Sequence, residues 1–565
     1  MRRLNRGSAM VLWFALAAVT RGMNAHAQVS AGKMIVPPYA QAALSGISPE
    51  RIRAHVRFLS SDLLDGRGTG QRGGEIAADY IATQFALAGV QPAGEDGTYL
   101  QKVPMIGVRT LPETTFGLAP QNGEALSLKW LDDFVTNNQS QTQNAEIDAP
   151  VIFVGYGIEA PEYKWDDYKG ADVRGKVLLM LVNEPPSEDE TFFKGKALTY
   201  YGRWTYKFEE AARRGAVGAL LIHRTDMASY GWNVVRSSWS TERSYLKVND
   251  KPKLQAASWV QLEVARKLVG LAGLDLDKLM DSAKSPEFRP VPLAVNVKAH
   301  IVSQLRPFEA SNVLGIVPGR GPEATREAVL YTAHYDHLGI VHGAQGDNIY
   351  HGAVDNGTGC GILLELARAY ASLPSRPPRS VLLAAVTGEE QGLLGSEYLG
   401  EHPPIPRSKI VLDLNFDAVA PIGDPEEVEV SGAERTTFYP AVEEIARTFG
   451  VHIRADAHPE NGYYYRSDHF SLARVGIPSF SINEGQKFAG HTAEWGEQQS
   501  QDYTAHRYHQ PSDEYKADMD FAGVAKIARF GFALGWKAAA QRRAIAWQRG
   551  DEFEAARKNS QASNH

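Results

Sequence analysis

The chain has 565 residues, 43% of them hydrophobic and 22% charged, with a formal net charge of -7. That length exceeds one ordinary core, so two or three domains are expected, and the composition excludes a disordered or fibrous chain. The acidic balance excludes a global attraction to nucleic acid or to an anionic membrane.

Arg2, Arg3 and Arg6 precede a short apolar stretch over residues 9–20, and Ala25-His26-Ala27 fits a small-x-small cleavage rule. Residues 1–27 read as a signal peptide, with the mature protein starting near Gln28 and exported to the periplasm or secreted. A membrane anchor is the alternative, but the apolar run falls short of the about 20 residues a span requires. No later segment is long and apolar enough to span a bilayer. Cys360 is the sole cysteine, so no intrachain disulfide can form, and an exported chain of this size without one points to a bacterial enzyme.

A helical pattern covers residues 49–63 and is followed by Asp65-Gly66-Arg67-Gly68-Thr69-Gly70. Such a loop could cradle phosphate, but it follows no strand and lacks the P-loop lysine. It reads better as a connector into an amphipathic helix over 74–87, capped by Gly89. Residues 28–111 thus form the first part of the main domain. Over 112–290 the apolar runs 151–154, 177–182 and 216–222 are short, separated by turns and by a helix over 207–214. With His223 as its single histidine, this block is expected to be a small inserted β-rich module without chemistry of its own.

Residues 291–545 read as the second part of the main domain. Buried strands fit at 328–333, 380–387, 409–414 and 477–482, and helices at 359–371, 439–448 and 521–540. Continuous apolar strands alternating with helices imply an α/β fold whose mainly parallel mixed sheet is covered by helices on both faces. Residues 546–565 read as a polar C-terminal tail, expected to fray after Arg549.

In open α/β sheets functional residues collect beyond the carboxyl ends of the strands. Strand 328–333 runs into His334-Tyr335-Asp336-His337, strand 380–387 into Gly388-Glu389-Glu390, and strand 409–414 into Asn415-Phe416-Asp417. Asp355 lies in the loop before a helix, and His509 in a Tyr-His-Gln-Pro loop. Two histidines and three carboxylates on one edge can hold two divalent ions if one carboxylate bridges them. Nitrogen and oxygen ligands without thiolate suit Zn²⁺, with Mn²⁺ or Co²⁺ as substitutes. Each residue also has a plainer reading. His334 could be an ordinary strand-end histidine, although Asp336 is placed to orient its imidazole. Glu389 and Glu390 could be solvated surface, Asp355 a turn residue and Asp417 a cap. His509 has rivals in His491 and His506. Cys360 is a catalytic thiol or, as free cysteines usually are, a small buried residue.

Three segments carry a family resemblance: Tyr331-Thr332-Ala333-His334-Tyr335-Asp336-His337-Leu338-Gly339, Asp355-Asn356-Gly357-Thr358-Gly359, and Thr387-Gly388-Glu389-Glu390-Gln391-Gly392-Leu393-Leu394-Gly395-Ser396. They resemble the co-catalytic di-zinc aminopeptidase family, which includes glutamate carboxypeptidase and the glutaminyl cyclases. Asn415-Phe416-Asp417, Ser467-Asp468-His469-Phe470 and Tyr508-His509-Gln510-Pro511-Ser512-Asp513 continue the match in order. The inserted block looks like the protease-associated domain that many members carry.

The resemblance implies that Asp355 bridges two zinc ions, with Glu390 and His509 completing one site and His334 and Asp417 the other. It makes Glu389 the general base and Asp336 the group that orients His334, and it implies a cis Asp355–Asn356 bond. It places Tyr464 to polarise the scissile carbonyl; within Tyr463-Tyr464-Tyr465, packing is the competing reading. Glutaminyl cyclases act with one zinc and transferrin-receptor-like relatives have lost ligands, whereas this chain keeps every position needed for two. The implied function is an exported zinc-dependent exopeptidase acting on peptides, an aminopeptidase first. A carboxypeptidase or dipeptidase is the alternative, with Arg466 and Arg507 as the clamp for a C-terminal carboxylate, unless they are surface arginines. A non-catalytic binding module is the third reading.

Overall fold

The computed structural model describes residues 36–228, 231–247, 251–321, 326–340 and 348–562. The signal peptide read over residues 1–27 lies outside them. Helix α1 (Pro49–Leu59) starts where the Ser48 side chain accepts from the Arg51 N–H. Helix α2 (Arg72–Ala88) stops at Gly89, whose φ of 80° is the left-handed C-cap the sequence suggested. Strand β1 (Leu100–Thr110) then leads into the block expected to be β-rich.

That block is itself α/β, which corrects the expectation. Its strands β2 (Phe134–Asn137), β3 (Asn144–Phe153), β4 (Val177–Leu181), β5 (Gly218–His223) and β6 (Ala256–Gln261) lie in the order β3-β4-β5-β6-β2. The first four are parallel and β2 is antiparallel to β6. Helix α3 (Trp204–Arg213) connects β4 to β5, helix α4 (Leu262–Leu271) follows β6, and each face of the sheet has its own apolar cluster. The apolar runs were legible in sequence; the helix after β6 was not, because its amphipathic pattern begins immediately at the strand end.

Strand β7 (Val291–Val317) is 27 residues long and belongs to both halves. Its first part, 291–302, pairs antiparallel with β3, and its second part pairs with β1 and then with β9 (Ser380–Val386). One strand path therefore runs through the two halves. On the far side, β9 is parallel to β8 (Ala328–His334), which is parallel to β10 (Ile410–Asn415) and, through it, to β11 (Ser479–Ser481). Every residue of β8 and β9 is buried. Such strands are held by apolar contact on both faces, at about 1.5–3 kcal/mol for each fully buried large aliphatic side chain. Helix α5 (Gly359–Ala371) and helix α6 (Ala522–Ala540) pack with α1 and α2 on one face, and a second cluster with Leu399, Leu472 and Ile477 lies on the other. The fold is a mixed α/β architecture with a mainly parallel sheet flanked by helices, as expected.

The described part of the tail is packed rather than frayed. Residues 554–562 form helix α7 (Glu554–Ala562), and Asp551 and Glu552 pair with the buried Arg435 at 2.8 and 2.6 Å. Phe553 enters an aromatic cluster with Tyr464, Tyr465 and Phe470. Polarity suggested fraying because the cation that holds these acids lies more than a hundred residues away.

Candidate metal centre

Strands β8, β9 and β10 end side by side, and their following residues deliver the expected side chains to one place. His334 is the last residue of β8 and 1% exposed. Its Nδ1 lies 3.1 Å from the backbone carbonyl of Asp336, so an Nδ1–H donates there and Nε2 faces the site, where it could serve as a ligand once deprotonated. Asp336 therefore orients His334 through its main chain, which refines the expectation of a carboxylate contact; the carboxylate is 3.9 Å from Nδ1. That carboxylate instead accepts from the Thr69 hydroxyl at 2.7 Å and from the Glu389 N–H at 3.2 Å.

Asp355 sits before α5, and the Asp355–Asn356 peptide is cis. Its Oδ1 is 3.3 Å from His334 Nε2 and its Oδ2 is 3.4 Å from His509 Nε2, so each oxygen faces a different imidazole. Asp417 Oδ1 lies 3.1 Å from His334 Nε2, and Glu390 Oε2 lies 3.2 Å from His509 Nε2. Ligands about 2.0–2.1 Å from a tetrahedral zinc ion stand about 3.3 Å apart. The separations around His334 and around His509 match that edge, so these donors could hold divalent ions, with Asp355 offering one oxygen to each group. His337, Asp355 and Glu390 form a further grouping that could hold a metal. His337 Nδ1 is only 2.6 Å from Glu390 Oε1, a hydrogen-bond distance shorter than a ligand-to-ligand edge. His337 is accordingly the group that holds the outer oxygen of Glu390.

Supporting contacts surround the centre. The Ser467 hydroxyl donates to Asp417 Oδ2 at 2.6 Å while accepting from Asn415 Nδ2 at 2.8 Å. Asn356 joins two loops, donating to the Phe416 carbonyl and accepting from the Ala418 N–H. Asp513 accepts from the N–H groups of Val354 and Asp355, which fixes the bridging residue's backbone. Gly388, with φ 68°, turns the chain out of β9; a Cβ there would meet Met105 Cε at 2.9 Å. The centre opens to solvent at one end: the Asp355 side chain is 6% exposed, Asp417 20% and His509 35%.

Burial and then the carboxylates of Glu390, Asp417 and Asp468 push Glu389 well above the usual carboxylate range, against the opposing effect of His334. A bound dication would act in the opposite direction. Burial alone would raise Asp355 too, but His334 and His509 hold it well below its ordinary value. Cys360 is buried, its thiol pushed up to about 12 by that burial and donating to the His334 carbonyl at 3.1 Å, so it is a packing residue.

Three expected site residues make contacts other than with the metal-type donors. Tyr464 donates its hydroxyl to the Ser479 carbonyl at 3.3 Å, and its ring lies under Arg435 and beside His469 and Phe553. This corrects its expected place at the scissile carbonyl. Arg466 is exposed, donates to the Asn461 carbonyl and covers Tyr463. Arg507 lies over Tyr503, two residues before His509, with its Nε buried and without a hydrogen-bond partner. Sequence reasoning missed His337, Ser467, Asp513 and Thr69. All stand in segments that it quoted, but their partners are backbone groups or distant side chains with no local signal.

Residues 312–532 match the model of peptidase family M28. Among curated relatives, the chain is 32% identical over 140 residues to the aminopeptidase NAALADL1 of Rattus norvegicus, covering 23% of this chain and 17% of that protein. It is 28% identical over 179 residues to the aminopeptidase YwaD of Bacillus subtilis, 31% of each. It is 23% identical over 339 residues to a glutamate carboxypeptidase 2 homolog of Caenorhabditis elegans, covering 53% of this chain and 40% of that one. The chain thus matches well under two thirds of the length of these relatives.

Proposed function

We propose, from the premise that residues 312–532 belong to peptidase family M28, that the chain is a two-zinc exopeptidase and most specifically an aminopeptidase. The observation that carries this reading is Asp355, whose two oxygens face His334 and His509 separately. His334, Asp355 and Asp417 would hold one ion, and His509, Asp355 and Glu390 the other, Mn²⁺ or Co²⁺ being substitutes. Bound there, the ions would polarise the scissile carbonyl and make the attacking water more acidic.

The remaining work falls to the chain's own groups. Glu389, fixed by its N–H to Asp336, accepts the water proton at its carboxylate as the new C–O bond forms. It then gives that proton to the leaving amine as the C–N bond breaks. His337 and Ser467 keep Glu390 and Asp417 from turning away. The acidic surroundings of Glu389 and Asp417 favour a substrate's free α-ammonium, and the relatives named as aminopeptidases support the same end of the peptide. Export guided by residues 1–27 belongs to the same proposal. Among the described residues no helix is long and apolar enough to cross a membrane.

Arg507 favours a second reading, a carboxypeptidase, because a buried guanidinium nitrogen without a partner stands two residues from His509. One experiment separates the two: hydrolysis of aminoacyl-anilides beside N-blocked peptides with free C-termini, each with and without chelator. Chelator-sensitive cleavage of the anilides is expected. Cleavage of the blocked peptides alone would replace the aminopeptidase reading with the other. In the same assay Glu389→Gln should keep both zinc ions and lose about 10²–10⁴-fold in rate; full activity would remove Glu389 from its role.

A further inference from the structure

The loop Asp65-Gly66-Arg67-Gly68-Thr69-Gly70 stood out in sequence, and of its residues only Thr69 has entered the centre so far. It lies against the metal centre. Arg67 is 0% exposed and, among the described residues, hydrogen-bonds to carbonyls rather than to a carboxylate. Its guanidinium donates to four backbone carbonyls: Tyr335 at 2.7 Å from Nε, Leu59 and His351 at 2.5 and 2.6 Å from Nη1, and Gly352 at 2.8 Å from Nη2. A charge this deep is costly unless its donors are met, and carbonyl dipoles meet them here. The carboxylates of Asp513, Asp355 and Asp336 add the compensating field.

Those carbonyls are not scattered. Tyr335 lies between His334 and Asp336, directly after β8, while His351 and Gly352 lead into Asp355. The guanidinium therefore ties the loop carrying His334 to the loop carrying Asp355 and both to the end of α1. The same loop continues the tie: the His337 N–H donates to the Arg67 carbonyl at 3.2 Å, and Thr69 holds Asp336. Gly352 leaves the space; a Cβ there would stand 2.7 Å from Arg67 Nη2.

We propose that Arg67 is a positioning residue for the metal centre, holding the His334 and Asp355 loops at the spacing that lets both side chains grip one ion. This rests on the two-zinc reading of the site. Lysine at 67 would keep the charge but offers one ammonium on a flexible stem, which cannot serve four carbonyls in a planar fork.

The test uses the full chain, Arg67→Lys and Arg67→Ala, with zinc affinity read by titration against a competing chelator and thermal unfolding followed with and without metal. Cobalt(II) visible spectra report the ligand geometry independently of activity. The wild type should take up two zinc ions. Both variants, measured where they are folded, should bind one of the two roughly 10–100-fold more weakly and show an altered cobalt spectrum. Millimolar methylguanidine should restore affinity to Arg67→Ala, since it refills the vacated space. Wild-type affinity in both folded variants overturns the proposal. So does failure of both variants to fold, which would make Arg67 a general core residue. If the wild type itself binds fewer than two ions, the two-zinc reading falls and this inference falls with it.

Discussion

The two halves of the molecule are built alike and used differently. Each has a parallel sheet with an apolar cluster on both faces, and they share strand β7. Each also buries carboxylates near strand ends. In the inserted half these are Asp167 and Glu184, and the fully buried Lys207 lies among them. Burial pushes both acids up to about 7, and Lys207 down to about 7. In the other half Asp355, Glu390, Asp417 and Glu389 converge with only histidines between them. An α/β sheet thus presents acids to one region readily, and what separates a structural cluster from a candidate metal centre is whether a side-chain cation already stands within it.

The largest expected effect breaks that contrast at the bridging residue. Asp355→Ala removes an oxygen from each half of the centre, so zinc uptake should fall below two per chain. Peptide hydrolysis should drop by about 10³-fold or more, the several kcal/mol that metal catalysis supplies. The inserted half should be untouched, with unchanged hydrogen-exchange protection over β4 and β5. Two zinc ions and full activity in this variant would refute the bridging assignment.

In the inserted half the corresponding change is Lys207→Met. It removes the cation that lies among two buried acids and should lower the unfolding temperature. Zinc content should not change, because the centre's ligands all lie elsewhere. Adding Asp167→Asn and Glu184→Gln should recover much of the loss, since an apolar or neutral set of similar volume is often no worse than a buried ionic one. If the single variant lost zinc as readily as stability, the two clusters would be parts of one network and the contrast would fail.

How much of this was legible in the sequence follows from the range of each signal. Strands such as β8 and β9 were legible because burial on both faces demands unbroken apolar runs, and α5 was found to the residue. His334, Glu390 and Asp417 were legible because each stands just past such a run. Asp336 was half legible: its importance showed, but nothing in its identity says that the carbonyl, not the carboxylate, holds His334. Tyr464 failed because three consecutive tyrosines carry no sign of which faces a cleft and which a core. Arg67 and Arg435 were silent because their partners are carbonyls or acids far along the chain, and only the folded arrangement makes them neighbours.

The smallest expected effect asks whether the halves communicate at all. Arg474 of the half that holds the candidate metal centre reaches Glu209 of α3 at 2.8 Å, both side chains about one third exposed, and the Tyr200 hydroxyl also bonds to Glu209. Tyr200 packs on Phe470, in the segment whose Ser467 steadies Asp417. A partly solvated pair of this kind contributes about 1 kcal/mol or less, so Glu209→Gln should barely move the unfolding temperature. Its value lies in kinetics. If the insert only borders the centre, kcat and zinc affinity stay at wild-type values for dipeptide and longer substrates alike. A fall in kcat without loss of zinc would instead make the chain from Glu209 through Tyr200 and Phe470 to Ser467 a mechanical link, and the inserted half would have to be counted as part of the site.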